Sequence, residues 1–66
     1  MQITINGENK EIKKNTTIKE LLDSLGVLDK TMAVAVNMKI VKKDNWDKFV
    51  LNEGDKIEAL NFVGGG

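Results

Sequence analysis

The chain contains neither cysteine nor histidine. That excludes disulfide scaffolds, thiolate nucleophiles, Ser-His-Asp and Cys-His arrangements, and nearly every zinc or haem site. Arginine is also absent, and ten lysines are balanced by ten acids, giving a formal net charge of zero. A nucleic-acid binder would carry a basic excess and guanidinium forks, so that class is disfavoured. No apolar run approaches the ~18 residues of a membrane-spanning helix. What is present is a globular balance, 41% hydrophobic and 30% charged, which argues against disorder. Sixty-six residues make one small domain with a thin stability margin and little room for an enclosed active site. If such a chain takes part in chemistry, the reactive group is unusual or sits on a partner.

The start, Met1-Gln2-Ile3-Thr4-Ile5, alternates at once as a strand does and shows no secretory leader pattern, which predicts the cytoplasm. Asn6-Gly7 is a hairpin signal. A second strand is expected over Lys10 to Lys14, with Ile12 inward. Thr17-Ile18-Lys19-Glu20 reads as a capping box. Ile18, Leu21, Leu22 and Leu25 then mark one apolar helix face, and Gly26 stops the helix. Val27 to Thr31 is a connection that plugs the end of the core. Met32 to Asn37 is a strand with Val34 and Val36 inward and Ala33 and Ala35 outward. Asn37-Met38 is a turn, and a short strand runs from about Lys39 to Lys42. Asp44 to Lys48 forms a helical turn with Trp46 and Phe49 beneath it. Asn52-Glu53-Gly54-Asp55 turns again, and Lys56 to Phe62 is the last strand.

The order is ββαββ, a helical turn, then β. A helix on one face of a mixed sheet is an α+β architecture. If the final strand lies parallel to the first at the sheet centre, the fold is the ubiquitin-like β-grasp. About five strands, one main helix and a flexible C-terminal tail are expected. Residues 1–63 are the β-grasp domain and 64–66 a flexible glycine tail. The lysine pairs Lys13-Lys14 and Lys42-Lys43 read as a solvated edge. Asp44, Asp47, Glu53 and Asp55 lack a calcium-loop pattern. Trp46 reads as a core residue with its indole N–H satisfied.

Several of these segments resemble the ThiS family of bacterial sulfur carriers. They are Thr17-Ile18-Lys19-Glu20-Leu21-Leu22, Ala35-Val36-Asn37 with Ile40-Val41, Trp46, and Glu53-Gly54-Asp55-Lys56-Ile57. The sequence closes on Gly65-Gly66, as that family does. It departs in a third glycine, Gly64, and in Glu53 where aspartate is usual.

The resemblance implies a carrier and not an enzyme. The Gly66 carboxylate would be adenylated and converted to a thiocarboxylate, with Gly65 giving access to a narrow tunnel. The sulfur would go to the thiazole ring of thiamine. The implied partners are a ThiF-like adenylating enzyme, a ThiG-like thiazole synthase and a sulfur donor system. The chain itself binds no cofactor in this scheme; ATP and magnesium belong to the activating partner. Strand phase places Leu60 and Phe62 on the outward face with Glu58. Leu60, Phe62, Val63 and Gly64 are therefore the expected partner-binding surface. Two alternatives stand beside this reading: a MoaD-like carrier for molybdopterin or another sulfur metabolite, and a ubiquitin-like binding module whose tail is never activated.

Overall fold

The computed structural model describes residues 1–61. Five strands form a single sheet: β1 (Gln2–Ile5), β2 (Glu8–Glu11), β3 (Thr31–Val36), β4 (Lys39–Val41) and β5 (Lys56–Asn61). Their order across the sheet is β2-β1-β5-β3-β4. β1 and β5 run parallel at the centre, with Thr4 beside Lys56 and Ile5 beside Ile57. All other neighbours are antiparallel. One helix, α1 (Ile18–Ser24), lies across one face. This is the topology expected from the sequence.

Both hairpins turn on two residues with positive φ, Asn6 (50°) with Gly7 (85°) and Asn37 (51°) with Met38 (74°). Such turns match the right-handed twist of the flanking strands. The first is so tight that Ile5 already pairs with Glu8. β2 therefore spans Glu8–Glu11 and not Lys10 to Lys14. Ile12 follows it, donates to the Met1 carbonyl (2.8 Å), and packs against the core.

α1 has seven residues, too few to hold together alone. Its N-terminus is satisfied completely. The Thr17 N–H donates to Glu20 Oε1 (2.9 Å), and the Glu20 N–H donates to Thr17 Oγ1 (3.1 Å). The N–H groups of Ile18 and Lys19 donate to the carbonyls of Phe49 and Trp46, each at 3.1 Å. The C-terminus closes as a Schellman motif. Val27 N–H reaches Leu22 O (3.0 Å) and Gly26 N–H reaches Asp23 O (3.0 Å), with Gly26 at φ 72°.

Ile18, Leu21 and Leu22 bury one helix face against Ile3, Val34, Val36 and Ile57 of the sheet, with Trp46 and Leu51 closing the side. The Trp46 indole N–H donates to the Val41 carbonyl (2.9 Å). Among the described residues no buried polar side chain lacks a partner.

Several boundaries differ from those expected. Leu25 lies at the C-cap and is 37% exposed, because the helix ends one residue earlier and the apolar stripe ends with it. Leu28–Lys30 forms a 3₁₀ turn inside the connection, and the other 3₁₀ turn is Lys43–Asn45. β4 ends at Val41. A bulge between Thr31 and Ala33 leaves Met32 without a partner on β5 and 58% exposed. Among the described residues no helix is long and apolar enough to cross a membrane. The expected boundary between residues 63 and 64 lies outside the described residues.

Candidate functional site

β5 occupies the middle of the sheet and leads toward the glycines. Two turn asparagines grip it, one at its start and one at Ala59. At its start, Asn37 Oδ1 accepts from the Lys56 N–H (2.9 Å), and Asn37 Nδ2 donates to Asp55 Oδ1 (3.0 Å). Asp55 Oδ2 in turn accepts from the Asn52 N–H (2.8 Å), which fixes the turn into the strand. Further along, Asn6 Oδ1 accepts from the Ala59 N–H (2.8 Å), and Asn6 Nδ2 donates to the Ala59 carbonyl (3.3 Å). The sequence showed both asparagines only as turn formers. Their second role needs a strand distant in sequence to come within reach.

Along β5, Ile57 is buried and Ala59 half-buried on the helix side, while Glu58 and Leu60 are exposed. Leu60 stands where the strand phase placed it, 61% exposed. Its neighbour on β3 is Ala33, and Ala35 lies beside Glu58 on one flank and Ile40 on the other. The alanines are too small to cover their neighbours. The result is a shallow depression of about 400 Å³ between Leu60, Ala33, Ala35 and Ile40, edged by Asn6 and Glu58. Ile40, 72% exposed, was not among the expected site residues. The two-residue turn at Asn37-Met38 fixes its register opposite Ala35, so the signal was present in the sequence. Phe62, Val63, Gly64, Gly65 and Gly66 lie outside the described residues.

The rest of the described surface offers little chemistry. No group of three or more carboxylates among the described residues could hold a metal ion. The helix N-terminus has no unused donor to offer an anion, since each N–H is already taken. Among the described residues one carboxyl is perturbed. Glu11 is held below the ordinary carboxylate range, chiefly by its hydrogen bond to the N-terminal ammonium (2.5 Å), and then by the charge of that group. Gln2 also donates to it. This contact ties the open ends of β1 and β2 and lies far from the last strand's exit.

Comparison with known proteins gives this arrangement its context. Residues 3–66 match the ThiS family. The sulfur carrier protein ThiS of Escherichia coli K12 is 30% identical over 66 residues, the whole of both chains. ThiS of Bacillus subtilis 168 is 37% identical over 65 residues, covering 97% of this chain and 98% of that one. A thiazole synthase of Paramagnetospirillum magneticum is 39% identical over the full 66 residues, but the chain spans only 20% of that protein. The same share, 20%, holds for a thiazole synthase of Magnetococcus marinus. Among solved structures, a thiamine biosynthesis protein (ThiS) of Geobacter metallireducens superimposes with a TM-score of 0.82 at 28% identity, covering both chains completely. The shared topology, and a match running from the first strand through the final glycines, place this chain in the ThiS family.

Proposed function

We propose that this chain is the sulfur carrier of thiamine biosynthesis, and that its chemistry resides in the carboxylate of Gly66. The observation that carries the reading is the extent of the family match, which reaches residue 66 and so includes Gly65 and Gly66. In this reading the carboxylate oxygen attacks the α-phosphorus of ATP in an adenylating enzyme, and pyrophosphate leaves. Sulfide-level sulfur, delivered as hydrosulfide by a donor system, then attacks the acyl carbon, expels AMP and gives up its proton to solvent. The product is a terminal thiocarboxylate whose sulfur passes to a thiazole-forming enzyme. The chain is a cosubstrate throughout; ATP and magnesium are held by the ThiF-like partner. The thiazole synthases that contain a region similar to this chain support a ThiG-like partner and favour thiazole over molybdopterin as the destination. The cytoplasm, where such partners work, is the compartment that fits.

Glycine suits the delivering segment because it has no Cβ to meet the walls of a tunnel and accepts any backbone conformation. Ordering such a segment costs about 1–2 kcal/mol per residue. Covering Leu60 and Ile40 would return roughly 1–2 kcal/mol each, given how exposed they are. The patch offsets the ordering of about two residues and no more. Phe62, Val63 and Gly64 are proposed to supply further contacts.

The test is an intact mass after incubation with a ThiF-like enzyme, ATP and a sulfide source. A gain corresponding to one oxygen-to-sulfur exchange, preceded by pyrophosphate release, is expected. A chain truncated before Gly66 should show neither. An unchanged mass for the full chain, with a control carrier converted in parallel, would refute the reading. Deletion of the coding sequence should create a thiamine requirement.

A further inference from the structure

We propose that Asn6 is a positioning residue: its side-chain amide stands in for one more residue of β1 and fixes the last point at which β5 is held from both sides. The inference rests on the carrier reading for its consequence and on geometry for its substance. The backbone ladder between β1 and β5 ends where the Asn6 N–H donates to the Ile57 carbonyl (2.9 Å). There the chain turns away at φ 50°. Ala59, the next β5 residue facing that flank, would lose its backbone partners. The Asn6 amide supplies both, a carbonyl oxygen for the N–H and an N–H for the carbonyl. A primary amide is the side-chain group that reproduces a peptide unit in this way. Asparagine also tolerates the left-handed backbone of the turn, so the residue type is selected twice over.

The opposite flank differs. β3 accompanies β5 as far as Asn61, which pairs with Thr31. With Asn6 in place, β5 is fixed on two sides up to Ala59, one residue before Leu60. Without it, the stretch from Glu58 to Asn61 is held from β3 alone and can swing about that edge. Leu60 and Asn61 would then be held less reproducibly. A reaction that requires a terminal carboxylate to arrive in line for attack is sensitive to such aim, since a displacement of ~1 Å can cost as much as 10²-fold in rate.

Asn37 provides the control, because it grips β5 through a similar side-chain bond at the start of the strand. The experiment compares the full chain with Asn6→Gly, Asn6→Asp and Asn37→Gly. Glycine keeps both turns, as it accepts positive φ. Aspartate keeps the acceptor for the Ala59 N–H and loses the donor. Pyrophosphate release by a ThiF-like enzyme, hydrogen exchange at the Ala59 amide and backbone order at Leu60 and Asn61 are measured alongside urea stability. For Asn6→Gly, kcat should fall about tenfold with KM within about twofold, together with loss of protection at Ala59. Asn6→Asp should lie between it and the parent. Asn37→Gly should lose comparable stability yet keep kcat. The proposal is overturned if Asn6→Gly retains the parent kcat, or if Asn37→Gly lowers it equally. If the parent chain is never adenylated, the carrier reading fails on its own. Unchanged exchange at Ala59 in Asn6→Gly would then sink the anchor as well, whereas lost protection would sustain it.

Discussion

Met38 sits at φ 74° in the turn between β3 and β4, and is 77% exposed. A long side chain held there costs about 1–2 kcal/mol, whereas glycine's extra freedom in the unfolded chain costs about 0.5–1. The strain is the larger quantity. Met38→Gly should therefore stabilise the domain by roughly 0.5–1 kcal/mol, read as a higher urea midpoint at unchanged slope. Glu11 is a second residue-level case. Its carboxyl is held low in the folded state, so the contact contributes above the ordinary value of 4.5 and is lost as pH falls through the lowered one. Stability measured from pH 6 downward should fall less steeply in Glu11→Gln than in the parent.

At the scale of elements, α1 shows how a helix of seven residues survives. The capping box fills two of its N-terminal donors and the segment from Trp46 to Phe49 fills the other two. Thr17→Ala removes the side-chain acceptor and should cost about 1 kcal/mol, lowering the urea midpoint while the slope is kept. The sequence displayed the capping box and the Gly26 stop, because both use residues within one turn of the helix. It did not display the carbonyls of Trp46 and Phe49 as caps. Those carbonyls belong to backbone groups that any residue supplies. The same distinction explains Leu25. Its spacing fits the apolar stripe, yet the helix ends before it and packing leaves it half uncovered. β2 was placed too late because the expected pairing did not start directly at the Asn6-Gly7 turn.

The molecule as a whole divides its two sheet faces between different tasks. One carries the core beneath α1, and the other exposes Leu60 and Ile40 over small alanines. A chain of this size holds roughly 3–10 kcal/mol of stability in total, so apolar groups withheld from the core are a substantial fraction of what is available. Leu60→Asp tests that division. Since Leu60 contributes little to the core, stability should change by no more than about 0.5 kcal/mol. Adenylation by a ThiF-like enzyme should weaken by about tenfold or more, mainly through KM, as an apolar contact is replaced by a solvated charge. A folded Leu60→Asp chain adenylated at the parental rate would remove Leu60 from the docking surface.

The sequence by itself determined the features written in short range: the alternation of β1, the two positive-φ turns, the capped helix, and the outward phase of Leu60. Each depends on residues a few positions apart, where propensity and periodicity act directly. Only the tertiary structure decided which groups meet across the central strand. Asn6 finds Ala59, Asn37 finds Lys56 and Asp55, and Ile40 joins Leu60 across Ala33 and Ala35. The first contact depends on the parallel pairing of β1 with β5 and the others on the antiparallel pairing of β3 with β5; both pairings join strands that are not neighbours in sequence, and no local pattern encodes either register.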